Sequence, residues 1–387
     1  MVELLLAAGL LVAVFVGFNI GGSSTGVAFG PAVGSGVVGK SVAAALMSAF
    51  ALLGGWTVGR NVIATMGGDI VPKGQFTLVA SVVVLFFVGG ALLLSNTFGV
   101  PASTSMTAVG AIAGLGVASD TLNEGVMLGI VSWWIVAPVL AFWVCAVVGR
   151  YLYPFLDAAV RLEQSPGPLL TFDPLPRLGP NTTWREAGGM ALILAIACYM
   201  AFSAGASNTA NAVAPLVGGG FIGTSEGVLL AGTAITLGAF TIARRTLDTV
   251  GSDLTELPLL AALIVEVVSA TLIAFLSYLG IPASLAVSAT MCIVGLGWGR
   301  ATRTVTLGEA VRGEGPEVSV NALVEGGDDA DGDPADVPAV GEERAEDLVG
   351  SHTLFDPGTT GRVVFFWLLT PSLSALASYL VFEFVPL

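Results

Sequence analysis

The chain has 387 residues, of which 55% are hydrophobic and only 11% are charged, and its formal net charge is −14. A soluble domain carries about 25% charged residues. Apolar blocks of roughly 20 residues recur along the chain, which is the length that crosses a bilayer as a helix. The composition therefore excludes a soluble globular domain and predicts an all-α polytopic membrane protein, whose partner is the lipid bilayer rather than nucleic acid.

The side chains that usually carry enzyme or metal chemistry are scarce. Cys145, Cys198 and Cys292 lie in separate apolar runs, with a spacing that fits neither a metal site nor a disulfide framework. The single histidine, His352, lies beside an acidic segment, which excludes a His-based triad or a zinc site inside the membrane. We therefore expect neither an enzyme nor a bound metal or cofactor.

The chain opens with the apolar run MVELLLAAGLLVAVFVGF, residues 1–18, which has Glu3 and no Lys or Arg. A secretory signal has a basic segment before its apolar core and a small-residue cleavage site. The run is therefore interpreted as a retained first span.

Two pairs of segments show that the chain repeats itself. GWTVGRNVIATMGGDI (55–70) matches AFTIARRTLDTVGSDL (239–254) at an offset of 184, and GVPASTSMTAVGAIAG (99–114) matches GIPASLAVSATMCIVG (280–295) at an offset of 181. A Trp- and Pro-containing segment near the end of each copy also matches, at an offset of 233. Two copies of one module, with 52 residues inserted late in the second, explain these offsets.

The insertion is the acidic segment. Residues 306–361 hold fourteen of the 28 Asp and Glu residues and few large apolar ones, which predicts a solvated, disordered loop. The chain then divides into a first transmembrane repeat (1–150), a Pro-rich linker (151–186), a second transmembrane repeat (187–305), the acidic loop (306–361) inserted in that repeat, and its last transmembrane helix (362–387).

Each copy places two segments rich in small and polar residues between its apolar spans. NIGGSSTGVAFGPAVGS (19–35) matches SAGASNTANAVAPLVGG (203–219), and a Pro-Ala-Ser segment begins at Pro101 and again at Pro282. Breaks at corresponding places in two halves indicate the binding site of a transporter. We therefore predict four interrupted helices that meet in the membrane. The alternative is that the small residues only let helices pack closely.

Half-helices that begin at such breaks present unpaired N–H groups and the positive end of a dipole to an anion. No Lys or Arg falls inside the four segments, so hydroxyl and N–H groups would have to bind the anion. Glu266 is the only acidic residue deep inside an apolar span, where a charge costs at least ~2.5–3.5 kcal/mol. It either faces a transport pathway or is a protonated structural residue.

The four segments resemble those of the inorganic phosphate transporter family of secondary carriers. That family carries Gly-Ala-Asn-Asp-x-x-Asn in both halves and Pro-Val-Ser-Thr-Thr-His at the second break of each half. This chain reads GGSSTGV at 21–27, GASNTAN at 205–211, PASTSM at 101–106 and PASLAV at 282–287. Nearly the whole chain is covered by the resemblance.

The departures from the family pattern concern charge. Ser24 and Asn208 stand where the family has aspartates that help bind the coupling cation, and Met106 replaces a histidine. Fewer negative charges make a site more hospitable to an anion and weaken the reason to bind a cation. Sulfate fits such a site because it brings no proton that needs an acceptor.

The resemblance implies two inverted-topology repeats with broken or re-entrant helices, about ten to twelve membrane segments in all. It implies a secondary transporter of inorganic phosphate in the cell membrane, coupled to Na⁺ or H⁺. A sulfate or other oxyanion permease, an anion channel and a membrane sensor that uses the acidic loop are the alternatives, and a homodimer is left open. The expected substrate-binding residues are Ser103, Thr104, Ser105, Ser284, Ser23, Ser24, Ser207 and Asn208, and the expected coupling-cation residues are Asn208, Asn211, Ser24 and Glu266.

Overall fold

A computed structural model of the chain describes residues 2–97, 103–159, 170–173, 175–178, 183–243, 258–302 and 357–385. The helices within these ranges are α1 (Val2–Gly34), α2 (Lys40–Thr57), α3 (Gly59–Ala64), α4 (Leu78–Thr97), α5 (Thr104–Ala118), α6 (Glu124–Val147), α7 (Tyr153–Ala159), α8 (Trp184–Gly218), α9 (Thr224–Thr241), α10 (Leu259–Tyr278), α11 (Leu285–Ala301) and α12 (Pro357–Phe384). Thr65–Asp69 and Val148–Leu152 are π-helical, and Lys73–Gln75 is a 3₁₀ turn. Strands β1 (Leu170–Asp173) and β2 (Leu175–Leu178) form an antiparallel hairpin.

The long helices are apolar on all sides, as expected of helices in lipid. Within the described ranges, five helices are long and apolar enough to cross a membrane, and α2 with the segment that follows it makes a sixth that bends by 59°. The prediction of an all-α polytopic membrane protein is confirmed. The total of ten to twelve segments stays a prediction.

The division of the chain into regions stays a prediction, and the structure adds helix bounds within it. The linker 151–186 contains α7 and the hairpin, and α8 begins at Trp184, where Thr183 and Glu186 form a capping box. The last helix begins at Pro357 rather than at residue 362. The predicted acidic loop lies outside the described residues except for its last five.

The helix bounds reproduce the internal repeat. Helices α2 and α9 begin and end at residues 184 apart, and α4 and α10 begin and end at residues 181 apart. Helices α5 and α11 also begin 181 residues apart, after Ser103 and Ser284, whose side chains cap them. Two related halves therefore fold alike.

Each half packs its helices against the other half through backbone contacts at glycine. Gly205 on α8 lies against the Ala51 carbonyl on α2, and the equivalent Gly21 on α1 lies against the Ile235 carbonyl on α9. Small residues let membrane helices approach this closely. Packing between the halves also joins α5 of the first half to α12 of the second, and α11 of the second half to α6 of the first.

The N-terminal part of the first helix of one half contacts the C-terminal part of the first helix of the other half. Gly9, near the N-terminus of α1, lies against the side chain of Leu216, near the C-terminus of α8. Equivalent helices of this length that run in opposite senses are the arrangement expected of an inverted repeat. The inverted topology itself stays a prediction.

Two of the four predicted interruptions are wrong. The Gly/Ser/Asn segments 19–35 and 203–219 lie almost wholly within the continuous helices α1 and α8. The reason is that backbone groups in a membrane must be paired internally, which a continuous helix achieves. The hydroxyls bond back to the same helices, as Thr25 does to the Gly21 carbonyl and Thr209 to the Gly205 carbonyl, both at 2.7 Å. The break between α10 and α11 is present, and the matching residues 98–102 lie outside the described ranges.

Candidate functional site

The N-terminus of α5 meets the polar segment of α8 at a hydrogen-bonded cluster. Thr104 Oγ1 donates to Asn208 Oδ1 at 2.6 Å. Asn211 Nδ2 lies 3.1 Å from both Asn208 Oδ1 and Ser105 Oγ, and 3.3 Å from Thr104 Oγ1. The cluster joins the first half to the second, because α5 belongs to one and α8 to the other.

Ser207 links this cluster to the start of α11. Its hydroxyl donates to the Ala283 carbonyl at 2.8 Å, one residue before the Ser284 cap. Ser105 Oγ lies 3.3 Å from Ser207 Oγ. Because the single Ser207 proton goes to Ala283, Ser105 is the donor in that pair. The N-termini of α5 and α11 therefore converge on one residue of α8.

The cluster keeps hydrogen-bonding capacity for a ligand. Asn211 Oδ1 is fully buried and has no partner among the described residues. Asn208 Nδ2 also makes no hydrogen bond there, although Asn208 is only 6% exposed. The first N–H groups of α5 and α11 have no partner within their own helices. The arrangement can bind an anion through N–H groups and can accept one hydrogen bond, or ligate a cation, through an amide oxygen.

A narrow cleft lies beside the start of α11. Trp134 Nε1 donates to the Pro282 carbonyl at 2.9 Å and holds the α10–α11 connection against α6. Met106, which stands where the family has a histidine, also lines the cleft. The polar side chains of the cleft come from α11, where Ser284 and Ser288 face it.

Seven of the predicted binding and coupling residues are thus brought to the two helix starts or to the α8 segment that faces them: Ser103, Thr104, Ser105, Ser284, Ser207, Asn208 and Asn211. Ser23 and Ser24 take no part in the hydrogen bonds of the cluster. Ser23 donates to carbonyls of its own helix, those of Asn19 at 3.1 Å and Ile20 at 3.2 Å. The α1 segment packs against α9 instead of ending in a half-helix, which is the physical reason for this difference.

Glu266 lies on α10 and is 3% exposed. Neither of its carboxylate oxygens has a hydrogen-bond partner among the described residues. It makes no hydrogen bond to the cluster, so its predicted role as a coupling-cation residue requires a separate argument.

Sequence reasoning missed Trp134 and Ser203. The tryptophan belongs to the repeated Trp- and Pro-containing segment, and its partner position 233 residues later, Trp367, is buried. Ser203 donates to the Ala270 carbonyl at 2.8 Å and ties α8 to α10. The sequence feature that could have identified Ser203 is its position at the start of the α8 polar segment.

Within the described ranges, no group of three or more His, Cys, Asp or Glu could hold a metal ion.

Fold and cluster together define a multi-pass helical membrane protein of two related halves, with polar helix ends buried between them. The profile of the phosphate transporter family matches residues 20–378. The chain belongs to this family, whose members are transporters rather than enzymes.

Two relatives of known name are similar to this chain. The sulfate permease CysP of Bacillus subtilis is 30% identical over 291 residues, which cover 75% of this chain and 76% of that protein. A candidate phosphate permease of Chlamydia pneumoniae is 26% identical, with 77% of this chain and 90% of that protein covered. A solved structure titled as the sodium-dependent phosphate transporter superposes with a TM-score of 0.67 at 18% identity over 98% of both chains, which shows the shared fold.

Proposed function

We propose that this protein is a secondary transporter of a tetrahedral inorganic oxyanion in the cell membrane, with phosphate as its first substrate. The observation that carries the proposal is the position of Ser207, which is hydrogen-bonded to the first turn of α5 and to the residue that precedes the Ser284 cap of α11. Two helix N-termini that meet at one residue place partial positive charge and N–H groups together, so they can bind an anion without a cationic side chain.

The depth of the site supports transport. Helices α5 and α11 have 15 and 17 residues, so each is about 22–26 Å long and too short to cross a ~30 Å hydrocarbon core alone. A helix of this length has at least one end within the membrane, and we place the capped N-termini there. Two inverted halves would alternate access by rocking around this site.

The buried acceptor Asn211 Oδ1 favours phosphate. Phosphate near neutral pH carries one or two protons, and a P–OH group needs an acceptor, whereas sulfate offers only acceptors itself. An amide oxygen with no partner among the described residues can supply that acceptor. It would otherwise remain an unsatisfied buried group.

Sulfate is the second candidate, and a different observation favours it. Both aspartates of the family motif are absent, so the site holds no carboxylate that could accept a substrate proton. The relative CysP, named a sulfate permease, is 30% identical to this chain.

The ion whose gradient drives anion uptake is a further part of the proposal. The neutral oxygens of Asn208 and Asn211 would suit Na⁺ as this ion, and H⁺ is the alternative.

Uptake of labelled phosphate and sulfate into proteoliposomes tests the proposal. Saturable accumulation against a gradient is expected, whereas an ohmic anion current would support a channel instead. The double variant S103A/T104A should lose uptake while eluting as a monodisperse folded protein. The matched control S372A/T233A removes two exposed hydroxyls from α12 and α9 and should transport normally. Normal uptake by S103A/T104A would remove these residues from the site.

A further inference from the structure

Helices α6 and α11, which come from different halves, pack side by side in the same direction. A Cβ at Gly295 would collide with the Phe142 carbonyl. One turn further along both helices, a Cβ at Gly299 would collide with the Ala146 carbonyl. Small residues permit this close approach of two backbones in a membrane. The side chains along the rest of the contact are therefore brought together at short range, and two of them are cysteines.

Cys145 and Cys292 face each other across this contact. Gly149 on the first side lies against the Leu296 carbonyl on the other, and each cysteine stands four residues, about one turn, before its member of that pair. The two thiol groups are in contact, and both side chains are 0% exposed. The spacing of the cysteines in the sequence does not indicate this pair, because they meet only through the packing of α6 on α11.

The other half of the molecule has a different link at the equivalent place. Ser378 on α12 and Ala111 on α5 are the repeat partners of Cys145 and Cys292, at the offsets of 233 and 181. There the Ser378 hydroxyl donates to the Ala111 carbonyl at 2.7 Å. A hydroxyl group and a methyl group cannot be oxidised to a covalent bond between helices, whereas two thiols in contact can.

The α6–α11 pair is already fixed at both ends. Trp134 on α6 donates to the Pro282 carbonyl just before α11. Arg150, which follows α6, donates to the Thr302 carbonyl at the end of α11. Cys292 lies about 11 Å along the axis beyond the start of α11. A bond between the thiols would therefore form within an existing contact, away from the residues of the proposed anion site.

We propose that Cys145 and Cys292 are a redox modification site, at which a peroxide converts the two thiols into a disulfide that cross-links the two halves. One sulfur attacks a peroxide oxygen, the O–O bond breaks, and a sulfenic acid and one water form. The second sulfur then displaces the sulfenic hydroxyl group as water and forms the S–S bond. Two thiols and one hydrogen peroxide thus give one disulfide and two waters, with the thiols oxidised and the peroxide reduced.

The surroundings of the pair select the oxidant. Apolar side chains of α6, α10 and α11 enclose both thiols. A small uncharged molecule such as hydrogen peroxide reaches them, whereas a charged or bulky thiol reagent does not.

The cross-link stabilises the fold and leaves transport intact. It closes a loop of about 147 residues, which restricts the unfolded chain, so the thermal midpoint should rise by about 5 °C. Because α6 and α11 are fixed to each other in both redox states, anion uptake by the oxidised protein should stay within about twofold of that by the reduced protein.

The test treats the full-length protein with hydrogen peroxide, unfolds it in the presence of an alkylating reagent and maps the cysteines by peptide mass spectrometry. In the wild type, Cys198 should be alkylated, and a peptide that joins Cys145 to Cys292 should form and be released by a dithiol reductant. C198S, which removes the buried cysteine of α8, is the matched control and should form the same cross-link with the same rise in thermal midpoint. C145S should show neither.

Four outcomes would overturn the proposal. They are three alkylated cysteines in the oxidised wild type, a cross-link that includes Cys198, an equal rise in thermal midpoint in C145S, and a tenfold loss of uptake on oxidation that the reductant restores. Most of these need only the wild type, so a folding defect in C145S cannot protect the proposal. If neither redox form takes up phosphate or sulfate, the proposed function fails, whereas the cross-link is still decided by the peptides.

Discussion

Thr104 at the start of α5 and Asn208 in the middle of α8 are joined by a hydrogen bond of 2.6 Å across 104 residues of sequence. One belongs to the first half of the chain and the other to the second, so the bond ties the two repeats together at the point where the helix N-termini meet. Asn211 donates to the same two side chains. A site assembled in this way depends on the relative position of the halves, which is the variable that alternating access changes.

The first prediction concerns this pair. T104A and N208A should each lower anion uptake about tenfold or more, and the double variant should be little worse than either, because residues in one hydrogen-bond network are not additive. The test is a double-mutant cycle, in which anion uptake and thermal stability are measured for the two single variants and the double variant. T104S keeps the hydroxyl and should transport nearly as well as the wild type. Additive losses would show that the two residues act independently.

Much of the fold could be predicted because the two copies of the repeat can be aligned in the sequence. The offsets of 184 and 181 place the starts of α9, α10 and α11 once their partners are known, and Pro-Ala-Ser followed by an apolar run marks a capped helix start. Six of the eight predicted substrate-binding residues lie at these starts or on the α8 segment that faces them, because hydroxyls next to a helix N-terminus carry a local signal.

The rest could not be predicted because it depends on packing between the halves. The segments around Gly21 and Gly205 were expected to be breaks, since Gly, Ser and Asn are poor helix formers in water. In the membrane, their backbone groups must be satisfied internally, and the opposing backbones at Ala51 and Ile235 require the absence of a side chain. Only the cross-packed partner helix shows why these residues are glycine.

The second prediction tests that close approach. A Cβ at residue 205 would collide with the Ala51 carbonyl, so G205A should force α8 and α2 apart and lower the free energy of unfolding by about 1–3 kcal/mol or more. The thermal midpoint in mild detergent is the readout. The control is G90A on the exposed face of α4, where a new Cβ meets nothing within 4 Å. Equal stability of the two variants would contradict the packing account.

The third prediction tests the inverted topology. Gly39 and Gly223 are equivalent exposed residues at the starts of α2 and α9, with negative φ, so cysteine is tolerated at both. If the two halves are inverted repeats, G39C and G223C should react with a membrane-impermeant maleimide from opposite sides of sealed vesicles. The three native cysteines are buried, and the wild type should remain unlabelled. Labelling of both variants from the same side would exclude inverted repeats.

The fourth prediction concerns Trp134, whose indole N–H holds the Pro282 carbonyl immediately before the Ala283–Ser284 segment. W134F keeps the ring volume in large part and removes this donor, leaving a buried carbonyl unsatisfied at a cost of about 1–3 kcal/mol. The α11 start should lose its fixed position, so anion uptake should fall about tenfold, with the larger effect on apparent affinity. W143F, on the lipid-exposed side of α6, is the matched control and should behave as the wild type. Uptake by W134F that equals that of W143F at every anion concentration would show that the bond does not position the site.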